Sequence, residues 1–176
     1  RTLFSLNEPN VSVNTEAEVL STIYALAATL EARDKYTYGH SRRVSRYAVS
    51  VAEALNLPPE QVALISAAAI LHDIGKVGIP DNVLNKIGKL SEDEWDLLKQ
   101  HPMLSATIVG HVPSLGACLA AIKHHHERWD GTGYPGGLDG ETTPVEARIL
   151  AVTDSFEAMI SERPYRKALS FKQAIA

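Results

Sequence analysis

Residues 65–76 read Ile-Ser-Ala-Ala-Ala-Ile-Leu-His-Asp-Ile-Gly-Lys, an apolar run that ends in a His-Asp pair followed by a lysine. Ile65, Ala69 and His72 are spaced at i, i+4 and i+7, which puts them on one face of a helix. His72 therefore stands at the end of an apolar stripe and is predicted to point into the interior of a helical bundle. This stretch predicts a core helix that carries a functional residue at its end.

The His72-Asp73 pair places an imidazole and a carboxylate where both can bind one metal ion, and the second carboxylate oxygen can bridge to another ion. Lys76 adds a cation one turn away, near any anion that the metals attract. This combination is typical of metal-assisted hydrolysis of a phosphate ester. A His-Asp pair alone occurs by chance in many proteins, so the prediction depends on further ligands elsewhere in the chain.

Two other predicted helices also end an apolar stripe with a potential ligand. One stripe is Leu119, Ile122 and His126, and the other is Ala147, Leu150 and Asp154. A buried carboxylate without a partner is unfavourable, and the cores of helical bundles commonly house metal sites that satisfy such groups. A hydrogen-bonded core residue is the better interpretation of any single histidine, whereas the set taken together favours a metal centre.

Apolar residues recur at helical spacing along most of the chain, and no stretch alternates with period two. Periodicity and capping signals predict helices over about 15–34, 40–56, 58–72, from 91, 102–111, 115–126, from 144 and from 170. Ser91-x-x-Glu94 and Ser170-x-x-Gln173 have the pattern of helix starts. Residues 77–90 are predicted to form a loop with one short turn, and the Gly- and Pro-rich residues 130–143 are predicted to form a long loop. We predict an all-α fold, a single bundle of about seven helices.

The composition limits the classes of function. The chain has 176 residues with a formal net charge of −4, which argues against a DNA-binding protein. Its longest apolar stretch, 62–71, is too short to span a bilayer, and no secretory signal is visible. The single cysteine, Cys118, cannot form an internal disulfide, which fits a cytoplasmic location. Because the chain starts without Met and stops inside a helix signal, we expect it to be a fragment of a longer protein.

The motifs together resemble the HD-GYP family, a branch of the HD-domain metal-dependent phosphohydrolases. The matching segments are His72-Asp73-Ile74-Gly75-Lys76, His101-Pro102, residues 125–135 (HHERWDGTGYP), Val152-Thr153-Asp154 and Arg163-Pro164-Tyr165-Arg166. The resemblance covers about residues 33–170. It implies an HD-type bundle with a long GYP loop that hydrolyses the bacterial messenger cyclic di-GMP to pGpG and in some members on to GMP. From the missing periodicity at the start and the helix signals, we further predict a linker or tail over 1–14, a connecting helix over 15–34 and a truncated catalytic domain over 35–176.

The resemblance further implies two divalent transition-metal ions. One would be held by His40, His72, Asp73 and Asp154, and the second by Asp73, His101, His125 and His126, with Asp73 bridging. Mixed imidazole and carboxylate ligands suit iron, manganese or zinc; the family favours iron or manganese, with zinc or nickel as alternatives in a purified sample. Adjacent positions on a helix diverge by about 100°, so His124, His125 and His126 are not all expected to bind. The resemblance selects His125 and His126 and leaves His124 outside the ligand set.

The expected mechanism is attack on phosphorus by a hydroxide held between the two metals. Lys76 would offset charge on the phosphoryl oxygens and protonate the leaving oxygen, directly or through a water. Arg163 and Arg166 would clamp the second phosphate of the substrate, because the planar guanidinium binds phosphate oxygens in pairs. In the GYP loop, Tyr134, Gly133 and Pro135 would contact the substrate, and Gly133 would also help to shape the loop. In the family this loop has also been linked to contact with GGDEF-domain proteins.

Two positions depart from the family pattern. Tyr36 replaces the glutamate that supports a third metal in some members, so two metals are expected. Glu157 replaces the usual Asp three residues after Asp154, which leaves open a catalytically weak domain that acts as a receptor for cyclic di-GMP or binds GGDEF proteins. A phosphohydrolase acting on another nucleotide is a third interpretation, which the complete GYP loop disfavours.

The connecting helix is expected to follow a sensory or receiver domain. Its apolar face, formed by Val19, Ile23, Leu26 and Leu30, is compatible with a homodimer and equally with packing on the chain's own core.

Overall fold

The structure is a computed structural model that describes residues 15–33, 39–162 and 167–175. Within these ranges the chain forms helices and no strands, which confirms the all-α prediction. The α-helices are α1 (Thr15–Arg33), α2 (His40–Ala54), α3 (Pro59–Leu71), α4 (Asp81–Leu84), α5 (Glu92–Leu98), α6 (His101–Val109), α7 (Leu119–Lys123), α8 (Val145–Ile160) and α9 (Phe171–Ile175). Short 3₁₀ turns cover Ile74–Gly78, Pro113–Cys118 and Gly140–Thr142.

The centre of the bundle is formed by α2, α3, α7 and α8. Helix α2 packs against α3 and α8, and α7 packs against α3, α6 and α8. Small side chains let α2 and α3 approach closely: Ala48 and Ala52 of α2 and Ala68 and Ala69 of α3 are fully buried. The apolar stripe of α3 predicted from the sequence is therefore part of the core, and it delivers His72 to the interior.

Most helix starts and ends follow local sequence signals. Ser91 and Glu94 form the predicted capping box, in which the Glu94 amide donates to Ser91 Oγ at 3.3 Å and the Ser91 amide donates to Glu94 Oε2 at 2.7 Å. Ser170 and Gln173 do the same at the start of α9. Helix α2 stops at Ala54, before the predicted 56, because Asn56 takes a left-handed conformation with φ of 55°.

The predicted single helix over 115–126 is wrong. The chain forms a 3₁₀ turn over Pro113–Cys118 and then α7, which ends at Lys123, so His126 is not on a helical face with Leu119 and Ile122. The imidazole of His125 donates from Nδ1 to the carbonyl of Ile122 at 2.6 Å. In a continuing helix, that carbonyl would accept a hydrogen bond from the amide of residue 126. The His125 side chain takes its place, and the helix ends.

Helix α1 lies within the predicted connecting helix 15–34, while the linker 1–14 lies outside the described residues. The division of the chain into linker, connecting helix and catalytic domain stays a prediction. None of the helices described here is long and apolar enough to cross a bilayer.

Candidate metal centre

The His-Asp segment lies at the end of α3, directly against α6. The amide of Gly75 donates to Ser105 Oγ at 2.8 Å, and the Ser105 hydroxyl donates to the carbonyl of His72 at 2.6 Å. This close approach requires glycine, since a Cβ on Gly75 would lie 2.2 Å from the carbonyl oxygen of His101. The contact brings His101, at the start of α6, next to Asp73.

Three of the histidines are oriented by the same local device. Each Nδ1 donates to a carbonyl three residues earlier, in the last turn of the preceding helix: His72 to Ala69 at 2.7 Å, His101 to Leu98 at 2.7 Å and His125 to Ile122 at 2.6 Å. The last carbonyls of a helix lack intrahelical partners, so the histidine satisfies one of them. The hydrogen bond fixes the tautomer and leaves Nε2 as the atom free to bind a metal.

The ligand-type atoms form two groups, within each of which they lie within 4.8 Å of one another: His40, His72 and Asp73, and His101, His125 and His126. Asp73 joins the groups, because its Oδ2 is 3.4 Å from His72 Nε2 and its Oδ1 is 3.3 Å from His101 Nε2. Asp154 adds to the first group, with Oδ1 3.0 Å from His40 Nε2. The structure thus brings together all seven residues that the sequence singled out as ligands.

The donor atoms fit divalent metals. Nε2 of His72 and Nε2 of His125 are buried and have no hydrogen-bond partner among the described residues. Buried polar atoms are almost always paired, so these two ring nitrogens, one in each ligand group, fit the role of metal ligands. In the second group, Nε2 of His126 and Nε2 of His101 face each other at 3.2 Å, an arrangement that a shared metal ion would also explain.

The electrostatics of the second group keep its imidazoles neutral, which is the form that binds metals. Burial lowers the pKa of His101 to about 4. Burial, reinforced by the nearby His126, also lowers the pKa of His125. Burial alone would raise the pKa of Asp73, but the charges of Lys76 and His72 outweigh it and hold that pKa well below its usual range.

The first group is different because His40 stands between two carboxylates. Burial opposes the charged imidazole, but hydrogen bonds to Asp154 and Glu157 outweigh burial and raise the pKa of His40 to about 9. The same contacts hold both carboxylates in the ionised form. Burial alone would raise the pKa of Glu157, but its hydrogen bonds with His40 and Ser161 outweigh burial and lower that pKa to about 2. Metal binding by His40 would therefore release a proton.

Glu157, the departure from the family pattern, reaches His40 from α8. It is 1% exposed, and its Oε2 lies 2.5 Å from His40 Nδ1. Its other oxygen accepts hydrogen bonds from Arg43 Nε and Ser161 Oγ, both at 2.6 Å. The longer side chain thus orients the imidazole of a candidate ligand.

Replacing Glu157 by alanine is expected to weaken metal binding at His40 by about 10- to 100-fold, because His40 loses the group that orients it. The lost charged hydrogen bonds should also lower the free energy of unfolding by about 2 kcal/mol. Chelator competition and urea denaturation would measure both effects, with Glu53→Ala, an exposed site on α2, as the control. Glu157→Ala with unchanged metal affinity would contradict the orienting role.

The two groups form the base of an open cavity of about 1310 Å³, a volume that includes open solvent. Lys76 and Lys86 line it, together with Trp95 and Tyr134. Lys76 Nζ is 2.6 Å from Asp73 Oδ2. The ring of Tyr134 lies over His126 with a centroid distance of 4.9 Å, and the rings of Trp95 and Tyr134 meet edge to face with centroids 6.2 Å apart. Basic and aromatic groups around the base suit a phosphate ester with flat rings.

The GYP loop is anchored by a residue that sequence reasoning missed. The carboxylate of Glu127 is buried, and it accepts hydrogen bonds from the amides of Gly136 at 2.6 Å and Leu138 at 3.1 Å. Its Oε1 also lies 3.1 Å from Nδ1 of His124, which thus contacts the loop anchor. Gly133 fits tightly, since a Cβ there would lie 2.3 Å from the amide nitrogen of Arg128. Pro135 is exposed.

Ser105 was also missed, because its partners lie about thirty positions away along the chain. The only signal for Glu127 was its place directly after the three histidines. Tyr36, Arg163 and Arg166 lie outside the described residues, so their predicted roles stay predictions.

Comparisons with known proteins agree with these features. The sequence profile of the HD domain family matches residues 25–176. The chain is 44% identical, over its whole length, to the "Cyclic di-GMP phosphodiesterase response regulator RpfG" of Xanthomonas campestris pv. campestris, of which it covers 46%. It is 39% identical over 99% of its length to a "Cyclic di-GMP phosphodiesterase" of Vibrio cholerae, of which it covers 38%. The chain thus spans less than half the length of these two relatives.

A solved structure shares the fold. The HDG"Y"P protein Bd1817 of Bdellovibrio bacteriovorus superposes with a TM-score of 0.64 at 22% identity, over 91% of this chain and 52% of that one. The HD and GYP motifs surround one centre, and both the family profile and these relatives match the chain. We conclude that the chain belongs to the HD domain family, in its HD-GYP branch.

Proposed function

We propose that this domain is a metal-dependent phosphodiesterase that hydrolyses cyclic di-GMP to pGpG, with GMP as a further product. The observation that carries the proposal is the pair of ligand groups joined by Asp73 at the base of the cavity, with Lys76 beside them. The similarity to relatives named as cyclic di-GMP phosphodiesterases supports the choice of substrate.

Divalent metal binding follows from membership of the HD domain family and from the two groups of His and Asp side chains. We assign one ion to His40, His72, Asp73 and Asp154, and a second to Asp73, His101, His125 and His126. Nitrogen-rich ligand sets with carboxylates suit iron or manganese, and zinc or nickel would also bind. When bound, such ions supply Lewis acidity and make water acidic enough to act as a nucleophile near neutral pH.

The protein's own groups would then bind and orient the substrate. Asp73 holds Lys76 Nζ at 2.6 Å, which keeps a proton donor and positive charge beside the ligand groups. From there Lys76 can offset charge on the phosphoryl oxygens and give a proton to the leaving 3′ oxygen. Tyr134 and Trp95 offer ring surfaces to a guanine base. Arg163 and Arg166 are proposed to bind the second phosphate.

The first experiment is an assay of cyclic di-GMP turnover by anaerobically purified protein loaded with Fe²⁺ or Mn²⁺, together with a metal count per chain. Turnover with about two metals per chain supports the proposal. Two metals with tight binding of cyclic di-GMP and no turnover would instead favour a receptor. The receptor interpretation came from Glu157, and its contact with His40 at 2.5 Å supports an orienting role for it in an active site.

Lys76→Ala is expected to lower kcat for cyclic di-GMP by about 10²- to 10⁴-fold, the usual contribution of a general acid, while two metals stay bound. Bis(p-nitrophenyl) phosphate, whose leaving group needs no proton, should lose much less activity in the same variant. Parallel kinetics on both substrates, with Lys172→Ala on α9 as the control, would measure this difference. Equal losses on both substrates would rule out proton donation by Lys76.

The remaining partners are proposals of the same kind. A GGDEF-domain protein would bind through the GYP loop, an N-terminal sensory or receiver domain would precede α1, and homodimers would form through α1. The cytoplasm is the proposed location.

A further inference from the structure

Glu31, near the end of α1, is bonded to the start of α2. Its Oε2 accepts the amide of Gly39 at 3.0 Å, and its Oε1 accepts the amide of Ser41 at 2.7 Å. These two amides belong to the residues on either side of His40. One carboxylate therefore holds the backbone on both sides of a candidate metal ligand.

Helix α2 has no cap within its own sequence. Its N-cap residue is Gly39, which has φ of 73° and no side chain, and the first turn contains no acidic residue. The first amides of a helix lack intrahelical partners, and the helix dipole favours negative charge at this end. Glu31 supplies both the missing acceptors and the missing charge from a different helix.

The position of His40 depends on this end of α2, because His40 is the first residue of the helix. Its side chain is buried, with 3% of the residue exposed, between Glu157 at 2.5 Å and Asp154 at 3.0 Å. A shift of the first turn of α2 would move the imidazole away from both carboxylates and from the rest of its ligand group.

Helix α1 also contacts the other half of the first ligand group. It packs against α3 and against the turn Ile74–Gly78. Ala27, Leu30 and Glu31 line a narrow cavity whose other walls include Ser41, Asp73 and Lys76. The two segments that carry His40 and Asp73 are therefore both in contact with the same turns of α1.

We propose that Glu31 is a positioning residue for His40, and that through it the position of α1 controls metal binding at the first ligand group. The inference rests on the metal centre proposed above. It predicts that loss of Glu31 affects the ion at His40 selectively. Glu31 binds the amides on either side of His40, whereas His101 and His125 of the second group are oriented by carbonyls of α5 and α7.

The test compares Glu31→Ala and the isosteric Glu31→Gln with Glu18→Gln, an exposed position on the same helix. Stepwise Mn²⁺ or Co²⁺ binding to the complete chain is measured by titration and chelator competition, alongside thermal unfolding of the metal-free protein. In Glu31→Ala we expect one of the two ions to bind about tenfold more weakly or worse, with the other unchanged. The affinity of Glu31→Gln for this ion should lie between those of Glu31→Ala and the unaltered chain, because the glutamine oxygen can replace only one of the two carboxylate acceptors. Glu18→Gln should bind both ions as the unaltered chain does.

A purely structural role would lower the unfolding temperature of Glu31→Ala while leaving the affinities for both ions unchanged, and that result would overturn the proposal. Equal weakening of both ions would overturn it too, because the effect would not be specific to His40. If Glu31→Ala does not fold, the same readouts on Glu31→Gln decide. Metal binding is measured without substrate, so an unaltered chain that binds two ions but does not hydrolyse cyclic di-GMP would reject the proposed function and leave this inference standing.

Discussion

Asp73→Ala is expected to abolish turnover of cyclic di-GMP and to remove both metal ions while leaving the helical content intact. The carboxylate of Asp73 joins the two ligand groups, with one oxygen 3.4 Å from His72 Nε2 and the other 3.3 Å from His101 Nε2. Each of the two ions would lose a charged ligand and the connection between them. Removing a ligand from one group alone should leave the other ion in place, so Asp73 has the largest effect of any single ligand.

The fold should survive because Asp73 lies between helices and its carboxylate pairs with the polar side chains of His72, Lys76 and His101. Lys76, which pairs with it at 2.6 Å, has a side chain that is 23% exposed and can turn to solvent. Metal analysis, turnover and far-ultraviolet circular dichroism on Asp73→Ala and the isosteric Asp73→Asn would measure the three expected results. Asp96→Asn, which alters a surface ion pair with Lys99, is the control. Two metals per chain in Asp73→Ala would reject the bridging assignment.

Gly75→Ala is expected to lower the free energy of unfolding by about 3 kcal/mol or more. The estimate adds the cost of overpacking to the loss of the buried hydrogen bond from the Gly75 amide to Ser105 Oγ. The added Cβ would lie 2.2 Å from the carbonyl oxygen of His101 and 2.5 Å from the amide nitrogen of Ser105. Both atoms belong to the backbone of α6, so no side chain can rotate to make room. Helix α6 would have to move away and take His101 with it, which should also weaken metal binding.

Gly116→Ala is the matched control, because a Cβ there has no atom within 4 Å and the residue is exposed. Urea denaturation of both variants and of the unaltered chain measures the stability change, and chelator competition measures the metal affinity. A Gly75→Ala variant as stable as Gly116→Ala would mean that the contact between the His-Asp segment and α6 is looser than the structure has it.

Local signals in the sequence were enough to predict most of the helices. The capping box at Ser91 and Glu94 and the apolar stripe that ends at His72 depend only on residues within one or two turns. The identity of the ligands came from a different source. Helical spacing indicated that His72 and Asp154 face the interior, but the complete ligand set required the resemblance to a family.

The remaining errors and omissions concern contacts between distant parts of the chain. His125 and His126 point to the same centre because the chain turns after Lys123, and the predicted helix would have spread them apart. Glu31, Ser105 and Glu127 are polar residues with no local pattern, and each acts through a backbone group on another element or loop. Such roles appear only when packing has fixed which elements meet.

The cavity has two unlike sides. One part of the lining carries His40 of α2, His101 of α6 and Asp154 of α8, and these three helices all contribute buried residues to the core. Another part of the lining comes from α4, which has four residues, and from α5, which has no buried residue. The segment that joins them includes Ile87, which is 83% exposed. Segments with few buried contacts open at a small fraction of the global unfolding free energy. Access for a large ligand can therefore come from brief local opening between α4 and the start of α5, while the carbonyl of Leu98 at the end of α5 keeps its hydrogen bond from His101.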